Sequence, residues 1–169
     1  MSDIREGHSL VYGDNINTDI ISPPQYMELS VEEAAPYAMS GVDPEFSQKV
    51  KPGDILVGGK NFGSGSSREL APLSLRYLGI GAIVAEFFAR IFYRNAINLG
   101  LPVVECREIG RVNDGDLLSI NFVEGTIQNK TRNETYECSK LPSHILALIR
   151  EGGLIAHLKK QMEKAHLTT

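Results

Sequence analysis

The stretch Asp54-Ile-Leu-Val-Gly-Gly-Lys-Asn-Phe-Gly-Ser-Gly-Ser-Ser-Arg-Glu69 sets the reading of the chain. Asp54 to Val57 is a short apolar run with the pattern of a buried strand. Gly58 to Glu69 then places four glycines, three serines and one arginine in a single turn. Ser66-x-x-Glu69 has capping-box spacing, so a helix is expected with Ser66 as its N-cap. Successive glycines permit positive φ and expose backbone N–H groups, and a helix start adds unpaired donors and the positive end of a dipole. Strand, turn and helix together read as an anion site with Ser66, Ser67 and Arg68 at its mouth. The plain alternative is a flexible Gly/Ser linker, but a linker does not normally carry Lys60, Asn61, Phe62 and Arg68. The stock glycine motifs do not apply. A P-loop needs Ser or Thr after Gly-Lys where Asn61 stands, the dinucleotide fingerprint needs a glycine where Arg68 stands, and no Gly-x-Ser-x-Gly elbow is present. Pro72 lies too deep for the first turn of a helix capped by Ser66, which leaves a distorted or late-starting helix as the reading there.

Outward from that turn, composition narrows the class. The 169 residues are 42% hydrophobic and 22% charged, as for one soluble globular domain. A net charge of −4 without a basic block argues against nucleic acid. No apolar run reaches membrane length, and Met1-Ser-Asp-Ile-Arg-Glu6 is neither signal nor transit peptide, so a cytoplasmic location is expected. Cys106 and Cys138 lack Cys-x-x-Cys spacing and read as space-filling thiols, and His8, His144, His157 and His166 are scattered. A zinc or iron–sulfur site of familiar type is not expected within this chain.

Along the sequence, Leu10 to Tyr12 reads as a first strand and Gly13 to Asp19 as a polar turn. Ser22-Pro23-Pro24 forbids helix, and Ser30-x-x-Glu33 caps a short helix interrupted by Pro36. Gly81 to Ala85 reads as a strand feeding a helix from about Glu86 to Leu99, C-capped by Gly100 and followed by a strand over Leu101 to Val104. That is a βαβ unit. Asp114 to Phe122 and Thr135 to Cys138 read as later strands, Leu141 to Arg150 and Leu154 to Ala165 as helices. The fold class is α/β with some antiparallel strands, without an internal repeat or second domain.

Three blocks in order, Gly13-Asp-Asn-Ile-Asn-Thr-Asp-Ile-Ile-Ser-Pro23, Gly65-Ser-Ser-Arg-Glu69 and Ala85-Glu-Phe-Phe-Ala-Arg-Ile-Phe-Tyr-Arg-Asn-Ala-Ile-Asn-Leu-Gly-Leu-Pro102, resemble the small subunit of 3-isopropylmalate dehydratase, the detached counterpart of the swivelling C-terminal domain of aconitase. The resemblance implies one compact swivelling domain over residues 1–169, with mixed sheets and flanking helices. It implies a hydro-lyase of leucine biosynthesis, assembled as a heterodimer or heterotetramer with a large subunit whose cysteines hold a [4Fe-4S] cluster as Lewis acid. By the same resemblance Ser66 is the alkoxide base that removes a proton α to a carboxylate. Ser67 and Arg68 contact a substrate carboxylate, and Thr18 and Asp19 approach from the other side. An Asx-turn is the simpler role for Asp19. Tyr26, Met27, Glu28 and Leu29 occupy the specificity segment, where homoaconitase-type relatives are expected to carry an arginine at the position of Glu28. Like charges about 4 Å apart repel by ~4 kcal/mol at an effective dielectric near 20, so Glu28 disfavours a distal carboxylate, while Met27 and Leu29 suit an alkyl group. A one-residue slip would instead point Glu28 to water. The open alternatives are a sister dehydratase for dimethylmalate, citramalate or a homoaconitate-type substrate, and a free-standing anion-binding module.

Overall fold

The computed structural model describes residues 3–167; Met1 and Ser2, part of the stretch read for a targeting peptide, lie outside it. The chain runs β1 (Ile4–Val11), α1 (Thr18–Ile21), α2 (Val31–Ala34), α3 (Phe46–Lys49), β2 (Ile55–Val57), α4 (Leu70–Tyr77), β3 (Ala82–Ala85), α5 (Arg90–Asn98), β4 (Val103–Glu105), β5 (Leu117–Asn121), β6 (Thr126–Asn129), β7 (Glu134–Glu137), α6 (Ser143–Arg150) and α7 (Leu154–Leu167). The seven strands form one mixed sheet in the order β4-β3-β2-β1-β5-β6-β7. β1 to β4 are parallel, and β1 pairs antiparallel with β5, which leads into the antiparallel meander β5-β6-β7. Beyond β7 the sheet curls back on itself. The Ser139 amide donates to the Glu105 carbonyl (2.8 Å), and the Glu105 amide donates to Ser139 Oγ (2.9 Å), so the outer edge of β4 meets the stretch that follows β7.

β2 and β3 are buried on both faces, as apolar central parallel strands should be, and β3, α5 and β4 make the expected βαβ unit. The first strand starts earlier than its apolar residues suggest, because Ile4 to His8 pair with β5 through an alternating, partly exposed face. β6 has no apolar run to announce it. Only Ile127 and Asn129 point inward, Asn129 donating to Asp116 Oδ2 at 2.8 Å. The Ser30 cap forms as read, Ser30 Oγ accepting from the Glu33 amide (3.3 Å), and a 3₁₀ turn over Ala35–Tyr37 takes up Pro36. Another 3₁₀ turn, Pro24–Tyr26, follows α1 with Pro24 in its first position, where no N–H is needed.

Two helix starts differ from the sequence reading. Ser66 caps nothing. α4 begins at Leu70 after an irregular stretch, with Glu69 in the N-cap position and no side-chain cap. Pro72 supplies the reason. Counted from Leu70 it is the third helical residue, whose missing N–H is one of the orphan donors of a first turn, whereas a helix from Ser66 would place the ring against a paired carbonyl. α5 likewise starts at Arg90 and not Glu86, because residues 86–89 are held as an extended leg beside the glycine turn: the Glu86 amide donates to Gly59 (2.9 Å), the Phe62 amide to Phe87 (3.1 Å) and the Ala89 amide to Phe62 (2.9 Å). No helix among the described residues is long and apolar enough to cross a membrane.

Candidate active site

The glycine turn is not a linker, because its middle is bolted into the core. Phe62 is fully buried, packed edge-on against Phe88 and Phe92 with centroids 5.6 and 5.4 Å away. Gly63 (φ +82°) passes so close to Phe92 that a Cβ would lie 2.3 Å from its ring. From that anchor the turn runs alongside the polar loop after β1. Gly59 donates to the Gly13 carbonyl (3.1 Å), Asn15 to Lys60 (2.8 Å), Gly63 to Ile16 (2.7 Å) and Thr18 to Ser64 (2.8 Å). Asp14 adds a side-chain clamp, Oδ1 accepting from the Lys60 amide at 2.7 Å. Two loops more than forty residues apart in sequence therefore behave as one rigid ledge.

At the end of the ledge Ser66, Ser67 and Arg68 meet Thr18 and Asp19. The Ser66 amide donates to Thr18 Oγ1 (3.0 Å), and the two hydroxyl oxygens are 3.4 Å apart. Arg68 donates from Nη1 to the Ser22 carbonyl (2.9 Å) and from Nη2 to Asp19 Oδ1 (2.5 Å). Asp19 is 61% exposed, so this ion pair adds at most about 1 kcal/mol of stability. Its effect is directional: guanidinium has five donors in a rigid plane, and two anchored ones leave the others fixed for a planar oxyanion. The local capping bond in this loop is made by Asn17, whose side chain caps α1 by accepting from the Ile20 amide at 2.9 Å, while Asp19 Oδ1 accepts from Arg68. Ser66 and Ser67 are exposed, and Thr18 is buried behind Ser66.

The segment read for specificity leaves α1 next to this site, since Ser22, which holds Arg68, precedes it. Tyr26 is half-buried and stacked on Tyr37 (centroids 3.9 Å), while Met27, Glu28 and Leu29 are exposed. Asn95 of α5 was not anticipated: its Nδ2 donates to the Ser67 carbonyl (3.1 Å), holding the turn from the side of α5, and nothing in the spacing of Tyr-Arg-Asn-Ala separates it from an ordinary helix-surface residue. The ledge is open. A cavity of 510 Å³ beside Phe88, Tyr93 and Arg94 is not lined by Ser66 or Arg68. Among the described residues no group of three or more His, Cys, Asp or Glu is placed to hold a metal ion. Cys106 and Cys138, separate in sequence, line one cavity, and burial raises both thiol pKa values, that of Cys138 to about 12.

Residues 11–108 match the model of the aconitase C-terminal domain. The isopropylmalate/citramalate isomerase small subunit of Methanocaldococcus jannaschii is 50% identical, the alignment covering 98% of this chain and 99% of that one. The 3-isopropylmalate dehydratase small subunit of Halothermothrix orenii is 46% identical over 95% of this chain and 98% of its own length. A crystal structure of 3-isopropylmalate dehydratase from M. jannaschii superposes with a TM-score of 0.93 at 38% identity, covering 98% of this chain and 99% of that one.

Proposed function

This chain belongs to the aconitase C-terminal domain family, as a small subunit of the 3-isopropylmalate dehydratase kind, and we propose from that premise that Ser66 is the base of a hydro-lyase completed by a large subunit. The observation that carries the proposal is the convergence of Ser66 and Arg68 with Thr18 and Asp19 on an exposed, rigid, half-open ledge. A ledge can orient a small dicarboxylate but cannot enclose it, which fits a site shared between two chains. The substrate we assign is 2-isopropylmalate, converted to 3-isopropylmalate by loss and re-addition of water.

In this reading Arg68 and Ser67 hold a substrate carboxylate. The Ser66 oxygen, as alkoxide, takes the proton α to that carboxylate and becomes the neutral hydroxyl; on rehydration it gives the proton to the carbon that lost the hydroxyl, while water adds at the carbon that lost the proton. The Thr18 hydroxyl, 3.4 Å from Ser66 Oγ, and the positive charge of Arg68 two residues further along the turn are the groups assigned to favour the anionic form of Ser66. A [4Fe-4S] cluster on the large subunit would supply Lewis-acid chemistry for loss of the substrate's hydroxyl. This chain does not fit such a cluster as ligand: it has two cysteines, both in the β4/β7 seam and both held protonated by burial. Tyr26 to Leu29 are assigned to the substrate's side group. A citramalate-type substrate is the second reading, favoured by the double name of the M. jannaschii relative.

The test is reconstitution. Co-expressed and purified without oxygen with the large subunit of its own organism, the chain should turn over isopropylmalate, and each subunit alone should not. Turnover by this polypeptide free of iron, or an inert complex with a loaded cluster, sinks the proposal.

A further inference from the structure

Thr18 is 2% exposed and tied at both ends of its backbone, its amide donating to the Ser64 carbonyl (2.8 Å) and its carbonyl accepting from the Ser22 amide (2.8 Å). It is the first residue of α1, and branching at Cβ narrows its choice of χ1 in a helix. Its hydroxyl therefore stands at a fixed point. Gly65 (φ +116°) is what lets the glycine turn pass that point, since a Cβ there would lie 2.7 Å from Thr18 Oγ1. The same oxygen accepts the Ser66 amide at 3.0 Å and lies 3.4 Å from Ser66 Oγ.

We propose that Thr18 is a positioning residue for the base: it fixes the Ser66 backbone by accepting its N–H and donates its own proton to Ser66 Oγ when that oxygen is an alkoxide. This rests on the reading of Ser66 as base and goes beyond it, because a buried Thr18 acts on the serine and not on the substrate. The logic is one of donor count. A neutral Ser66 can give or take in this pair, but an alkoxide has no proton and can only accept, so the Thr18 hydroxyl must then be the donor. A donor aimed at charge before it forms contributes to rate without reorganisation, and the contact, long while both groups are neutral, tightens when charge-assisted.

The reconstituted complex carrying Thr18→Val, which keeps the branched shape and loses the hydroxyl, should show kcat reduced by about 10²-fold with KM near that of the parent. The rising limb of its kcat–pH profile should move to higher pH. A substrate deuterated at the abstracted position should give a larger isotope effect. Thr18→Ser should restore most of the lost kcat, and Thr18→Cys, a weaker donor, should fall between Ser and Val. If Thr18→Val does not fold, the Ser and Cys variants still decide, since equal kcat and isotope effect for both overturn the inference. An unchanged kcat for Thr18→Val beside a dead Ser66→Ala overturns the role of Thr18 and leaves the base standing. A raised KM with kcat intact overturns it in favour of substrate contact. Activity retained in Ser66→Ala removes the base itself.

Discussion

Ser66 Oγ is exposed and caps no helix, so its loss should be felt in chemistry and not in folding. Ser66→Ala should leave stability within about 0.5 kcal/mol, as for surface substitutions generally, and abolish turnover of the reconstituted complex. Thermal melting and a single-turnover assay check the two halves, and near-normal kcat would show that another group takes the proton. Arg68→Lys should cost most of kcat/KM although charge is kept, because an ammonium cannot reach the Ser22 carbonyl, Asp19 and a carboxylate in one plane. Glu28 is exposed between Met27 and Leu29, and Glu28→Arg should move preference from isopropylmalate toward a substrate with a distal carboxylate. The ratio of kcat/KM among isopropylmalate, citramalate and homocitrate reads this out, and an unmoved ratio means that the segment does not face substrate.

Between elements, the loop after β1 is held from two sides, by the glycine turn and by α3. On the α3 side Asp43 accepts from the Tyr12 hydroxyl (2.6 Å), Lys49 Nζ (2.8 Å) and the Glu45 amide (3.1 Å). The bond from Lys49, then that from Tyr12, lowers the Asp43 pKa below its usual value, and burial beside Asp43 raises that of Tyr12. A depressed carboxylate pKa contributes stability that is present above the unfolded-state value near ~4 and is lost as pH falls through the lower folded-state value. Urea midpoints measured between neutral pH and that acid window should decline more steeply for the parent than for Asp43→Asn, which is destabilised throughout. Parallel acid limbs would place the acid-labile contact elsewhere.

On the scale of the molecule, the sheet curls until β4 meets the residue after β7, and Cys106 and Cys138 end up on that seam. Thiolate is the reactive form, and burial keeps both groups as thiols. Iodoacetamide at mildly alkaline pH should therefore modify them slowly in the folded chain and quickly in denaturant. Fast alkylation of the native protein would mean that the seam opens. Ser66 stands on an exposed face at the end of the ledge, and under the proposed function a second chain completes the site there.

Strands β2, β3 and β4, the Ser30 cap and the residue types gathered at the candidate site were legible in the sequence because each depends on neighbours a few positions away. Phe62 as the anchor that makes a glycine turn rigid was not, since nothing local says that Phe88 and Phe92 will close on it. Strand β6 was hidden because its inward positions are Ile127 and Asn129, and Asn129 is tolerated there because Asp116 and the Tyr136 hydroxyl accept from its amide and the Arg132 amide donates to it. The start of α4 was decided between a capping box at Ser66 and the ring of Pro72, a conflict visible in the sequence and resolved only when Ser66 found Thr18. The sequence determined which groups the candidate site has to offer; the tertiary structure decided that Thr18 and Asp19 would stand against Ser66 and Arg68, because contacts across more than forty residues depend on how the whole sheet folds.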